Sequence, residues 1–284
     1  MNTFKSIFAG VLLLATTALS AQGLKLAVLS TTQTFEQEFS LSKINVSYSR
    51  PSARGRKVFG EVVPFGKVWR TGANKATTIK FGEDVLIDGQ ALKAGEYSVH
   101  SIPELAEWTL IFNSNLTASS ATYKQEEDVL RVKAKTAKTL APVETFTIEF
   151  TDITTTSANL VFKWENTAVT LKIVTAVNQD AVIMASIDEA MKGEKKPYFQ
   201  AASYYAQTKR DPKQALVWAT EAYKADTNAF YMEHLKAKLQ LELKDYAGAL
   251  KSAEHSKAVA AKSKNDDYVK NNDALIAEIK KGKK

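Results

Sequence analysis

The sequence from Val143 to Thr175, VETFTIEFTDITTTSANLVFKWENTAVTLKIVT, decides the fold class. Apolar and polar residues alternate along it, so that Phe146, Ile148 and Phe150 fall on one face. Successive side chains of a strand point to opposite faces of the sheet. The alternation therefore predicts strands that bury one face in a core and expose the other.

The same alternation extends back to about Ile44, and turn signals interrupt it. Asp88-Gly89 separates two short apolar runs and predicts a two-residue hairpin, because glycine supplies the positive φ that a type I′ turn needs. Glu165-Asn166 is interpreted as the turn of the last hairpin. Many short strands joined by turns predict an antiparallel β-sandwich or barrel of about nine strands.

From about Asp180 the period of the apolar residues becomes that of a helix, and a repeat is present. Ala215-Leu216 recurs as Ala249-Leu250, 34 residues later. This spacing is the tetratricopeptide period, in which small residues let two antiparallel helices approach closely. The pattern predicts an all-α, tetratricopeptide-like helical hairpin array, with a generic array of helical hairpins as the alternative. The predicted helices lie at about 198–209, 213–225, 229–243, 246–261 and 266–280.

The N-terminus has the pattern of a signal peptide. Lys5 precedes an apolar stretch from Ile7 to Ala18, and small residues allow cleavage after Ser20 or Ala21. An uncleaved membrane anchor is the alternative. The protein is therefore expected to be exported, periplasmic or secreted, with no transmembrane anchor in the mature chain. The predicted segments are a signal peptide (1–21), a lead-in segment (22–42), a β-sandwich domain (43–177) and a helical repeat domain (178–284).

Charge is unevenly distributed along the predicted β-domain. The segment from Lys43 to Lys80 contains nine basic residues and one acidic residue, Glu61, whereas residues 81–177 contain eight basic and thirteen acidic residues. Arginine suits two-pronged contacts with carboxylate or phosphate, so the basic segment is a candidate anion site. The alternative is that its arginines clamp the acidic strands or point into water.

The basic segment also carries a family resemblance. The runs from Tyr48 to Gly60 and from Val63 to Asn74 resemble the bacterial family known as domain of unknown function 2911, over about residues 43–175. Lys75 departs from the family's pattern, in which an acidic residue follows the asparagine. The resemblance implies an exported β-rich domain, sometimes followed by helical repeats. The family has no established activity, so it supplies no functional residues.

Physical reasoning on this segment gives a candidate ligand site. Trp69 beside Arg70, with Asn74 on a following turn, predicts an aromatic platform with polar donors, which suits a sugar ring or a peptide carboxylate. The alternative is that Trp69 fills the core while Arg70 and Asn74 bond to loop carbonyls. The candidate ligand-binding residues are Arg50, Arg54, Arg56, Lys57, Trp69, Arg70 and Asn74.

The helical part offers candidate anchors for a protein or peptide partner, because tandem helical repeats form concave binding surfaces. These candidates are Tyr204, Tyr205 and Trp218. The alternative is that they fill the core between alanine-rich helices.

Catalytic signatures are weak. His100, His234 and His255 are widely separated, there is no His-Glu-x-x-His motif, and the chain has no cysteine. No catalytic residue, metal, cofactor or nucleic-acid partner is predicted. The preferred hypothesis is an exported non-enzymatic binding or scaffold protein. In it the β-domain binds an anionic or sugar ligand, and the repeats bind a protein. The alternative is a carboxylate-dependent hydrolase or carbohydrate-active enzyme, with an Asp or Glu near Arg70 or His100.

Overall fold

The computed structural model describes residues 27–282. They divide into two compact units, with the boundary between Ala176 and Val177. The first unit is built from strands and the second from helices. The predicted signal peptide lies outside the described residues.

The first unit is an antiparallel sheet with nine strands among the described residues, as the alternation predicts. The strands are β1 (Thr31–Phe39), β2 (Ser42–Arg50), β3 (Thr77–Phe81), β4 (Val85–Ile87), β5 (Gln90–Leu92), β6 (Gly95–Pro103), β7 (Glu107–Asn113), β8 (Asp128–Thr151) and β9 (Ser157–Thr175). Their order in the sheet is β1-β2-β3-β6-β7-β8-β9-β4-β5. The predicted Asp88-Gly89 hairpin joins β4 to β5, with φ values of 46° and 82°.

β8 connects the two halves of this sheet. Residues 128–135 pair with β7, and residues 136–151 pair with β9. Buried side chains from both halves form one hydrophobic cluster, which includes Trp108 and Trp164. The sheet does not close, because β1 and β5 are its edges. Its form is therefore a sandwich whose halves share one long strand.

The Tyr48 side chain on β2 links the two halves across this core. Tyr48 is 2% exposed, and its hydroxyl oxygen accepts a hydrogen bond from the Ile148 backbone N–H at 3.0 Å. The hydroxyl in turn donates to Gln33 Oε1 at 3.0 Å. Arg50 extends the link, since its Nε donates to the Phe146 carbonyl at 3.2 Å. Two side chains of β2 thus donate to or accept from the backbone of β8 directly.

The structure differs from the sequence prediction at two places in this unit. Part of the expected lead-in segment (22–42) forms the edge strand β1, whose largely exposed face gave little apolar alternation. Glu165 lies inside β9, where the register with β8 shifts between Lys138 and Val143. The positive φ of Glu165, 53°, bends the strand at this irregularity but does not reverse it.

The second unit contains six helices among the described residues. They are α1 (Gln179–Ala190), α2 (Tyr198–Gln207), α3 (Pro212–Ala225), α4 (Phe230–Glu242), α5 (Tyr246–Lys262) and α6 (Asp266–Gly282). The five predicted helices correspond to α2 to α6. α1 was missed because its apolar stripe is weak, with only Ile187 buried.

The 34-residue spacing corresponds to equivalent positions in α3 and α5. Asp211 caps α3 by accepting from the Lys213 N–H, and Asp245 caps α5 by accepting from the Gly248 N–H. The small residues of the repeat are all buried, which permits close packing of α2 on α3 and of α4 on α5. They are Ala215 and Ala249, Ala219 and Ala253, and Ala222 and Ser256.

We expect Tyr48→Phe to lower the free energy of unfolding by about 1–3 kcal/mol, because it leaves the buried Ile148 N–H without an acceptor. Urea unfolding followed by tryptophan fluorescence measures the change. Tyr97→Phe is the control, since it removes only a donor to the Lys93 carbonyl. Equal losses in the two variants would contradict the role given to Tyr48.

Candidate functional site

A cleft of about 440 Å³ lies in the β-domain beside the Trp69-Arg70 dipeptide. Its walls come from the residue before β1, from the segment after β2, from the loop between β7 and β8, and from β9. The lining residues are Ser30, Pro51, Arg56, Val62, Val63, Pro64, Lys67, Val68, Trp69, Arg70, Gly72, Ala73, Ser120 and Trp164.

Two backbone hydrogen bonds fix this dipeptide on β6. The Trp69 N–H donates to the Ser101 carbonyl at 2.7 Å, and the Ser101 N–H donates to the Trp69 carbonyl at 2.8 Å. The Thr71 hydroxyl adds a bond to Ser101 Oγ at 3.0 Å. The position of Arg70 is thereby set by the sheet rather than by a free loop.

The Trp69 ring forms a wall of the cleft and is not an exposed platform. It stacks on Trp164 with ring centroids 5.8 Å apart, and meets Trp108 edge-on. Its indole N–H already donates to the Gly72 carbonyl at 2.9 Å. Trp69 thus combines the two sequence interpretations, since it packs on the core and also borders the cleft.

The cleft is basic. Arg56, Lys67 and Arg70 line it, and none of the described residues in its walls is an Asp or a Glu. Arg56 is held in place by donating from Nε to the Ala53 carbonyl and from Nη2 to the Ser52 carbonyl, both at 2.9 Å. These three cations give the cleft a positive potential that attracts anions.

Arg70 differs from the other arginines of the segment. Its Nε is buried and has no hydrogen-bond partner among residues 27–282. A buried donor left unsatisfied costs about 1–3 kcal/mol. The same side chain also lines the cleft.

Three of the seven predicted ligand-binding residues line the cleft: Arg56, Trp69 and Arg70. The other four lie elsewhere. Arg50 clamps β8, Arg54 donates to the Leu29 carbonyl, and Asn74 donates to the Ser30 carbonyl. Lys57 is exposed and borders a separate surface depression next to Pro142.

Sequence reasoning missed three polar residues of the cleft, of which Ser30 lies just before β1. Lys67 lies in the basic segment, but nothing in the sequence distinguished it from its exposed neighbours. Ser120 comes from the loop between β7 and β8, about fifty residues further along the chain. Only the folded sheet brings that loop to Arg70.

His100 is buried on β6, next to the Trp69–Ser101 pairing. It is 0% exposed, and neither ring nitrogen has a hydrogen-bond partner among the described residues. Burial lowers the pKa of His100, while the Asp128 carboxylate opposes this shift. The Tyr123 ring covers the imidazole, with ring centroids 5.2 Å apart.

Asp128 organises the polar groups around His100. Its carboxylate accepts from the Tyr123 hydroxyl at 2.5 Å, from Arg131 Nη1 at 3.2 Å and from Asn113 Nδ2 at 2.9 Å. Burial, together with the bond to Asp128, raises the pKa of Tyr123. Asp128 is therefore engaged in holding side chains.

The arrangement expected for the hydrolase alternative was an Asp or Glu in a pocket beside Arg70 or His100. Asp128 lies on the His100 side and is engaged as described, and the walls beside Arg70 carry no described carboxylate. Within residues 27–282, no group of three His, Asp or Glu side chains is placed to hold a metal ion.

In the helical unit the predicted partner anchors mostly pack on other helices. Tyr205 and Trp218 form an edge-on ring pair 4.8 Å apart against a buried cluster that includes Ala219. The Tyr204 hydroxyl donates to Asp180, which also binds Arg210. The contacts of Tyr205 and Trp218 correspond to the core role given as the alternative, whereas the Tyr204 bond to Asp180 lies at the surface.

A different set of residues forms a cleft of about 360 Å³ between α2, α4 and α6. It includes Phe199, Tyr231, His234 and Tyr268. His234 Nδ1 lies 2.8 Å from Asn272 Oδ1, while Asn272 Nδ2 donates to Ser256 Oγ and to the Tyr268 carbonyl. Since the amide oxygen must accept, His234 carries its proton on Nδ1 and leaves Nε2 as an acceptor. Burial lowers the pKa of His234.

The fold and the cleft define a two-unit protein in which a β-sandwich with a basic cleft precedes an array of helices. A family model described as a protein of unknown function, DUF2911, matches residues 30–173, about half of the chain. The chain belongs to this family, as the resemblance implied. No curated protein and no solved structure matched the chain. None of the helices between residues 27 and 282 is long and apolar enough to cross a membrane.

The irregularity in β9 supports the segment that forms one wall of the cleft. Glu165 Oε2 accepts from the buried Val58 N–H at 3.0 Å, and Val58 begins the stretch that leads to Val62 and Val63. We expect Glu165→Ala to lower the free energy of unfolding by about 1–3 kcal/mol, because the Val58 N–H loses its acceptor.

Glu165→Gln is the matched control, because its amide oxygen can accept the same bond and only the charge is lost. Urea unfolding compares the two variants. A loss in Glu165→Gln as large as in Glu165→Ala would assign the effect to charge or to backbone conformation and would refute the role of the hydrogen bond.

Proposed function

We propose that this chain is an exported, non-enzymatic binding protein whose β-domain binds an anionic ligand in the cleft beside Arg70. The observation that carries the proposal is the wall composition: three cations, no described carboxylate, and a buried Arg70 Nε without a partner. Such a site favours a negatively charged ligand, because each cation gains an interaction and no wall carboxylate opposes it.

The wall chemistry also restricts the kind of anion. Val62, Val63, Pro64 and Trp69 give one side of the cleft an apolar character, while the cations lie among them. A ligand that combines a carboxylate or phosphate with an apolar or sugar-ring face matches both. The volume, about 440 Å³, is suited to a small molecule or to the end of a chain.

The helical unit is proposed to bind a protein or peptide partner as a tetratricopeptide-like array. The equivalent Asp211 and Asp245 caps support the repeat, and the aromatic cleft between α2, α4 and α6 is the proposed contact surface. Export rests on the N-terminal pattern of residues 1–21.

The test of the anion site is binding of inorganic phosphate and of a small carboxylate sugar, measured by calorimetry. We expect Arg70→Gln to weaken binding about tenfold to a hundredfold, because a charge-assisted hydrogen bond contributes about 1.5–3 kcal/mol. Lys67→Gln should weaken binding less, since lysine is exposed and acts as a point charge.

Lys57→Gln is the matched control. It removes one positive charge from the same segment without touching the cleft, so binding should stay close to that of the natural chain. If Lys57→Gln weakens binding as much as Arg70→Gln, the loss comes from the lower net charge of the segment, and the assigned site is wrong. If neither anion binds to the folded natural chain, the proposed function fails.

A further inference from the structure

The loop of residues 114–127, which joins β7 to β8, contacts both the cleft and the buried histidine. Ser120 lines the cleft with Arg70, and three residues later Tyr123 covers the His100 ring. The loop is tied to the sheet by Ser98 Oγ, which donates to the Asn115 carbonyl at 2.9 Å, and by the Tyr123 bond to Asp128. A movement of this loop therefore changes both places.

The buried His100 ring lacks hydrogen-bond partners, and protonation would add a further donor without a partner. A neutral imidazole has one N–H donor, and the protonated ring has two donors and a charge. Neither nitrogen has a partner among the described residues. Burying a charge without a partner is strongly unfavourable, so the buried ring stays neutral, and it can hold a second proton only where water reaches it.

Among the residues that the structure describes, the charged groups around His100 do not offer a free counter-ion. From β8, Asp128 faces it but is engaged by Tyr123, Arg131 and Asn113. Arg131, also on β8, adds positive charge. From the loop, Tyr123 is a neutral phenol whose pKa is raised.

Arg70 is placed opposite His100 by the register of the Trp69–Ser101 bridge. It follows Trp69, and His100 precedes Ser101 in the antiparallel pairing of those two residues. The two side chains consequently leave the paired backbones on the same face. A charge on His100 would thus add to the positive charge on that face.

We propose that the 114–127 loop, which covers His100 and contributes Ser120 to the cleft wall, is released when His100 takes up a proton. Opening lets water reach the imidazole and withdraws Ser120 from the cleft wall. Regulation of the anion site by this loop rests on the function proposed above, whereas the release of the loop itself does not.

The test is amide hydrogen exchange of residues 114–127 in the full chain, corrected for intrinsic rates, from about pH 8 to about pH 5.5. The ordinary pKa of a solvated histidine is about 6.5. Burial under the loop lowers the pKa of His100 below this value. The folded closed state therefore binds fewer protons, and the opening constant rises as pH falls below 6.5. The rise is at most about tenfold per pH unit, as one linked proton requires.

His100→Gln should abolish this pH dependence, because the amide does not titrate. His234→Gln is the matched control: it removes another buried histidine, in the helical unit, and should leave the loop's pH dependence unchanged. Tyr123→Phe provides a second variant if His100→Gln does not fold. It removes the bond to Asp128 and should increase exchange of the loop already at neutral pH.

Exchange that is independent of pH in the natural chain, or equally dependent on pH in His100→Gln, would overturn the proposal.

The coupling between the loop and the cleft is measured by the binding of sulfate, because the charge of sulfate is constant over this pH range. Its dissociation constant should change with pH in the natural chain and stay constant in His100→Gln. A pH-independent constant in the natural chain would refute the coupling. Absence of sulfate binding at every pH would refute the anion site. The release of the loop would then be tested by the hydrogen exchange alone.

Discussion

The pairing of Trp69 with Ser101 is the contact on which the rest of the β-domain's chemistry depends. Two short backbone hydrogen bonds hold an otherwise irregular segment against β6. On one face of this pairing the Trp69 ring joins the aromatic cluster of Trp108 and Trp164. On the other face lie Arg70 and His100, and the loop of residues 114–127 borders both. Because the pairing is antiparallel, the packing of the tryptophan and the placement of the two polar side chains are fixed together.

Much of this architecture follows from the sequence, for reasons that also explain the exceptions. Alternation predicts the strands because one face of each is buried, and it fails for β1, an edge strand that buries little. Positive φ marks turns, but it also marks strand irregularities, and Glu165 belongs to the second case. In the helices, the 34-residue period appears at the paired Asp211 and Asp245 caps, whereas α1 lacks a clear apolar stripe.

The cleft was predictable only in part. Arginine-rich composition pointed to the right segment, and three of its seven candidates line the cleft. Sequence gives no means of separating Arg70 from Arg50, which differ only in what the fold places beside them. Phe146 offers its carbonyl to Arg50, while Arg70 Nε meets no acceptor among residues 27–282. Ser120 reaches the cleft through a contact between segments that are distant in the chain. The same limit applies to Tyr205 and Trp218, whose pairing with each other requires α2 to pack on α3.

We infer that the Arg70 side chain binds anions, and side-chain nitrogen NMR tests this most directly. The chain has six arginines, so the Nε–H region of the spectrum is simple, and Arg70→Gln assigns its signal. Titration with phosphate should shift the Arg70 Nε–H resonance in a saturable manner. The resonances of Arg50, Arg54, Arg131 and Arg210 should stay in place. A resonance of Arg70 that does not move, or equal shifts at all six arginines, would contradict the account.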